Sequence, residues 1–171
     1  MIGDAPPRGI CGSGLVDAVA AGLRSEWILA SGRVANGTKM LPIAGPVRLW
    51  QADVRELQLA KGPIAAGFKL LLKHAGARVE DLKSVSLAGA FGNYMQIESA
   101  IALGLLDAPR EVIHAVGNTA LRGAKMLLVQ KEAPELPPIE HVSLASDPDF
   151  QEEFAACMSF PAPVLIPFLR K

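Results

Sequence analysis

The stretch from 84 to 131 constrains the fold more than any other part of the chain. "SVSLA" (84–88) is a short apolar run that ends in the turn Gly89-Ala90-Phe91-Gly92, and a helical segment follows around "IESAIALGLL" (97–106). The unit then repeats as "EVIHAV" (111–116), the turn Gly117-Asn118, and the helical pattern "TALRGAKMLLVQK" (119–131). Strand and helix alternating at this spacing predict parallel strands joined by right-handed crossovers. The expected class is α/β, with a parallel or mixed sheet and flanking helices. A third unit is expected at "HVSLA" (141–145), followed by "SDPDFQEEFAACM". There Ser146 or Asp147 caps a helix, Pro148 sits in its first turn, and Phe150, Phe154 and Met158 share one face.

Upstream the pattern is helical. "GSGLVDAVAAGLRSEWI" (12–28) repeats Leu15, Val19, Leu23 and Trp27 at steps of four, the mark of an amphipathic helix. "ASGRVANGTKMLPIAGP" (30–46) is turn-rich and reads as a loop with short extended pieces. In "DVRELQLAKGPIAAGFKLLLKHAG" (53–76), Val54, Leu57, Ile64, Phe68 and Leu71 fall on one face, and Gly76 is a natural C-cap. Pro63 either kinks this helix or starts a second one.

In an open parallel sheet, ligands bind outside the carboxyl ends of the strands. Both predicted strands reach that edge in glycine, at Gly89/Gly92 and at Gly117, and each feeds a helix whose first N–H groups are unpaired. Two such turns side by side would form a small-residue floor for a flat ring or a phosphate, with Asn93 and Asn118 adding polar groups. Tight strand–helix packing accounts for the same glycines equally well. "GICGSG" (9–14) is a further glycine-rich turn, with Gly12, Ser13 and Gly14 at the start of a helix, but its spacing is not the dinucleotide fingerprint. Cys11 within it reads as a small buried residue rather than a nucleophile. "GRVANGTK" (32–39) imitates a phosphate loop, yet Thr38 precedes Lys39 and the stretch follows a helix, so it reads as a structural loop. Lys61 falls on the apolar stripe of its helix, where its ammonium must snorkel outward or meet a partner. A ligand contact through Lys61, with Gln58 one turn earlier, is the alternative. No nucleophile–base pair, carboxylate pair or magnesium motif can be assembled, so no catalytic residue is assigned.

The 171 residues match one domain of ~100–200 residues. Seventeen basic against seventeen acidic residues leave no electrostatic footprint for nucleic acid or an anionic membrane. No apolar run approaches the ~18 residues of a membrane span, and no signal-peptide pattern opens the chain. Two cysteines, Cys11 and Cys157, cannot form a disulfide framework, and a reducing cytoplasmic setting is expected. They are also too few for the four thiolates of an iron–sulfur cluster, and His74, His114 and His141 lack zinc spacing, so no metal site is expected.

Five blocks in order, "GICGSGLVDAVA", "DVRELQLAKGPIAAG", "LAGAFGNYM", "AVGNTALRGAKMLL" and "DPDFQEEFAACMSFP", carry a resemblance across residues 9–161. Together they resemble the C-terminal region of the ATP-dependent reductive activators of corrinoid-dependent methyltransferases. These belong to the acetate and sugar kinase, heat-shock chaperone and actin superfamily. The resemblance implies the second half of an actin-like ATPase (ribonuclease H-like) domain. It also implies an N-terminal [2Fe–2S] domain that passes an electron to Co(II) corrinoid to give Co(I), with ATP hydrolysis helping the transfer. Carried over by position, Gly89, Ala90, Phe91, Gly92 and Asn93 become the adenosine motif. Gln58 and Lys61 fall on the helix that contacts adenine and ribose in chaperone relatives. Gly117 and Asn118 would flank the pocket, and Gly12, Ser13 and Gly14 would wall the interdomain cleft. The superfamily's phosphate motifs and the iron–sulfur domain have no counterpart among these residues. The chain is therefore expected to be a single α/β domain (1–171), the C-terminal fragment of a longer protein. ATP or ADP would bind with the help of the other half, a corrinoid protein would be the partner, a homodimer is possible, and the fragment alone would be inactive. Half of a small-molecule kinase, an acyl-CoA dehydratase activator, and a ligand-free interaction module are the alternatives.

Overall fold

A computed structural model describes residues 5–35, 37–89, 94–130, 134–135 and 137–162. Helix α1 spans Gly12–Arg24 and buries Val16, Val19 and Leu23. It ends before Trp27, which is exposed, so the predicted stripe loses its last member. An antiparallel hairpin follows, β1 (Met40–Ala44) and β2 (Val47–Trp50), after a bridge between Ile28 and Val34. Strand β1 is an extended piece of the kind expected within 30–46, and β2, whose Val47 and Leu49 face the core, lies just beyond that stretch.

Helix α2 runs unbroken over Gln51–His74, through Pro63. Asp53 accepts a hydrogen bond from the Trp50 N–H at 2.7 Å and so caps the start. At the far end the Gly76 N–H donates to the Lys73 carbonyl and the Ala77 N–H to the Leu72 carbonyl, with Gly76 at φ +60°. That is the expected glycine-terminated C-cap. Of the predicted face, Val54 and Leu57 are buried and Phe68 packs against the core, but the rest differs. Ile64 and Leu71 are half exposed, while Gly62, Ala65, Ala66 and Gly67 are buried. Small residues are needed there because the last helix, α5 (Phe150–Met158), lies along α2. A Cβ on Gly62 would come within 2.7 Å of the Phe154 ring.

The two strand–turn–helix units form as expected. Strands β3 (Val85–Ala88) and β4 (Ile113–Gly117) pair in parallel, with α3 (Ile97–Ala102) between them and α4 (Thr119–Val129) after them. One face of the pair, with Val85, Leu87 and Ile113, packs on the core built by α1, β2, α2 and α3. The other face presents Ser86, Ala88, His114 and Val116 to solvent, and α4 buries none of its residues. "HVSLA" (141–145) is not a strand. Pro137 and Pro138 precede it and cannot donate to a ladder. Leu144 instead approaches α2 at Gly67 and enters a single 3₁₀ turn, Leu144–Ser146. The architecture is mixed α/β with small parallel and antiparallel sheets and flanking helices.

Candidate functional site

Gly89 and Gly117, at the ends of the two parallel strands, lie side by side. The Gly89 N–H donates to the Gly117 carbonyl at 2.8 Å, extending the parallel ladder past its last side chains. Gly89 has φ +99° and Gly117 φ +76°, a region that L side chains rarely adopt, so glycine is required at both. A Cβ added to Gly89 would meet nothing within 4 Å. Packing against the described residues therefore does not demand the glycine: its backbone geometry does, and no described residue fills the space above it. The Asn118 side chain caps α4 by accepting from the Leu121 N–H at 3.0 Å. Ala90, Phe91, Gly92 and Asn93, the other residues read as adenosine contacts, lie outside the described residues.

Gly12, Ser13 and Gly14 form the first turn of α1. Cys11 precedes them as N-cap, its Sγ accepting from the Gly14 N–H at 3.4 Å. The thiol is exposed, not buried as its residue type suggests, because the cap must reach the open helix end. The hydrogen bond with the Ser13 hydroxyl, then the Gly14 N–H, holds it below the ordinary thiol value. One turn on, Asp17 accepts from the Gln96 N–H at 3.4 Å, which sets the start of α1 beside the segment entering α3.

Gln58 and Lys61 are engaged within the chain. Lys61 is 3% exposed, so it does not snorkel to solvent. Its Nζ donates to the Cys157 carbonyl at 2.5 Å and to the Ser159 carbonyl at 2.8 Å, and it stands 5.5 Å from the centre of the Phe160 ring. Gln58 Nε2 donates to the Met158 carbonyl at 3.1 Å and to Ser31 at 3.3 Å. Three consecutive carbonyls at the end of α5 are thereby satisfied by two side chains of α2, and the Phe160 N–H closes on the Ala30 carbonyl. Burial pushes the Lys61 ammonium below the ordinary lysine value, and the charge of Lys69 acts in the same direction. Long-range capping of this kind leaves no signal in the spacing of α2.

The edge at Gly89 and Gly117 fits one side of a nucleoside. Bare backbone with open space above it admits a flat ring, whereas a side chain would not. An iron–sulfur cluster does not fit. Cys11 is exposed and Cys157 buried, and no group of three or more histidines, cysteines or carboxylates is gathered among the described residues. No helix among the described residues is long and apolar enough to cross a membrane.

Comparison with known proteins agrees with the blocks read in the sequence. The chain is 32% identical over 198 residues to the corrinoid activation enzyme RamQ of Eubacterium limosum, covering 97% of this chain and 33% of that one. It is 33% identical over 124 residues to the [Co(II) methylated amine-specific corrinoid protein] reductase of Methanosarcina barkeri, covering 72% and 22%. The chain thus spans a third or less of the length of these relatives. Its fold superimposes with a TM-score of 0.79 on a reductive activator for corrinoid, iron–sulfur protein, at 28% identity, covering 94% of this chain and 30% of that one. The model of the C-terminal domain of RACo, the ASKHA domain, matches residues 1–169, and the chain belongs to that family.

Proposed function

We propose that this chain is the nucleotide-side module of an ATP-dependent reductive activator that returns Co(II) corrinoid proteins to Co(I). The observation that carries the reading is the Gly89–Gly117 pair, a bare backbone edge at the carboxyl ends of two parallel strands. Family membership favours an activator over a kinase half. Adenosine would lie against Gly89 and Gly117, with Gly92 and Asn93 among its contacts by their place in the motif and Gly12–Gly14 facing the cleft. Gln58 and Lys61, whose side chains are bonded to the end of α5 and to Ser31, would hold α5 on α2 rather than touch the base.

In this reading the module is one α/β domain of a longer protein. The phosphates of an ATP or ADP seated at the Gly89–Gly117 edge, and the [2Fe–2S] cluster, are held by other parts of the activator. The open face of β3 and β4 and the uncovered α4 agree with this, since parallel sheets are normally covered on both faces. The partner is a corrinoid protein, and sedimentation of the activator decides whether it is also a homodimer. The isolated 171 residues should neither hydrolyse ATP nor transfer electrons. The test is to mix the full-length activator carrying this domain with a Co(II) corrinoid protein and a low-potential reductant, and to follow the Co(II) signal. Its loss only when ATP is present supports the proposal. A signal that persists with ATP, or decays equally without it, contradicts it.

A further inference from the structure

A second cleft, of about 640 Å³, lies between residues 31–35, 37 and 39 and the start of α2, and none of its described lining residues belongs to the Gly89–Gly117 edge. Its lining carries three cations, Arg33, Lys39 and Arg55, together with Ser31 and Gln51, and no carboxylate. In a chain with equal numbers of basic and acidic residues this is a local imbalance. None of the ion pairs or side-chain hydrogen bonds among the described residues uses Arg33, Lys39 or Arg55.

The backbone that carries these cations is fixed by one residue. Gln51 Nε2 donates to the Gly32 carbonyl at 2.7 Å, and its Oε1 accepts from the Val34 N–H at 2.9 Å, so Arg33 is clasped on both sides. The Gln51 N–H donates to the Lys39 carbonyl at 2.8 Å. Arg55 follows Gln51 by four positions and so lies over the same face of α2. Lys39 is held at φ +59°, a conformation costly for a side-chain-bearing residue. Strain of this sort persists where the surroundings enforce it, and it gathers at ligand sites.

We propose that this cleft binds a small anion carrying two or more phosphate groups. Two guanidiniums and an ammonium, two of them on a backbone that Gln51 fixes and all three exposed and without side-chain partners among the described residues, match the charge and the forked geometry of phosphate oxygens. The volume falls within the ~300–1,000 Å³ of small-molecule sites. The anion is a free polyphosphate or the phosphate tail of a nucleotide. The two are separated by titrating the 171-residue chain with tripolyphosphate, with ADP and with adenosine.

At about 0.15 M ionic strength, calorimetry should give saturable one-to-one binding of tripolyphosphate. Arg33→Ala and Arg55→Ala should each weaken it about tenfold or more, while Arg122→Ala on α4 leaves it unchanged. Lys39→Gly removes a cation and the backbone strain together, so it should weaken binding without lowering the melting temperature. ADP binding that falls in the same variants identifies a nucleotide as the source, and ADP binding that does not leaves a free polyphosphate. Adenosine affinity should be indifferent to all of these changes, which separates this site from the Gly89–Gly117 edge. Absence of saturable tripolyphosphate binding, or equal affinity in Arg33→Ala, Arg55→Ala and Arg122→Ala, overturns the proposal.

Discussion

The Gly89 N–H and the Gly117 carbonyl meet at 2.8 Å, one residue beyond the last paired side chains of two parallel strands. A bulge at Val116 brings Gly117, rather than Val116, opposite Ala88. This shift sets Gly89 beside Gly117 and places their backbone at the edge where ligands of open α/β sheets bind. The placement follows from the register of the ladder.

Lys61 ties the end of α5 to α2, and its replacement should show this in stability. Lys61→Met leaves the Cys157 and Ser159 carbonyls without their donor, at about 1–3 kcal/mol for each buried group left unpaired. The expected outcome is a lower denaturation midpoint and faster proteolytic cleavage within 150–162, with the 12–24 and 40–50 regions protected as before. An unchanged midpoint would show that water satisfies these carbonyls and that the tie contributes little.

Asp147 makes acid stability a second test. Its carboxylate accepts from the Asp149 N–H at 2.9 Å and pairs with His74 Nε2 at 2.8 Å, and these bonds hold it below the usual aspartate value. The unfolded chain, with an aspartate near about 3.9, therefore takes up its proton first as pH falls. The stabilisation is fully present above that value and is lost on passing down through the native one. Urea midpoints of wild type and Asp147→Asn should differ above about pH 5 and converge in stronger acid. A constant difference across this range would deny Asp147 the role.

Pro63 sits inside a continuous α2 and leaves the Leu59 carbonyl without its helical donor. Pro63→Ala should restore that bond and raise stability by about 1–3 kcal/mol, read as a higher thermal midpoint. A fall instead would mean that the ring's own packing outweighs the missing bond.

The two β–turn–α units were legible because local pattern and tertiary role coincide: apolar strands, glycines at positive φ, and helical period in the following segment. "HVSLA" misled because its composition is that of a strand while its neighbours Pro137 and Pro138 and the packing of Leu144 on α2 give it no partner. The buried face of α2 was misread for a related reason. Large apolar residues mark a helix that faces a sheet or a loose core, but Gly62, Ala65, Ala66 and Gly67 mark a close helix–helix contact, which depends on α5 being there. Lys61 could be singled out from the sequence as an ammonium on an apolar stripe, yet its partners are main-chain carbonyls 96 and 98 positions away. Backbone acceptors carry no side-chain signature. The Arg33–Lys39–Arg55 cleft was hidden in the same way, since Gln51 assembles it from a loop and a helix that look unrelated in the chain.

The central claim is that the Gly89–Gly117 edge receives adenosine, and ADP binding to the full-length activator with Gly89→Val tests it most directly. No described residue lies within 4 Å of the added Cβ, and the backbone strain at this positive φ costs about 1–3 kcal/mol. A folded variant, verified by its circular dichroism, should lose ADP affinity by tenfold or more (about 1.4 kcal/mol per tenfold), because the valine fills the space a nucleoside would occupy. A folded variant that binds ADP as tightly as wild type would contradict the account and return these glycines to turn geometry alone.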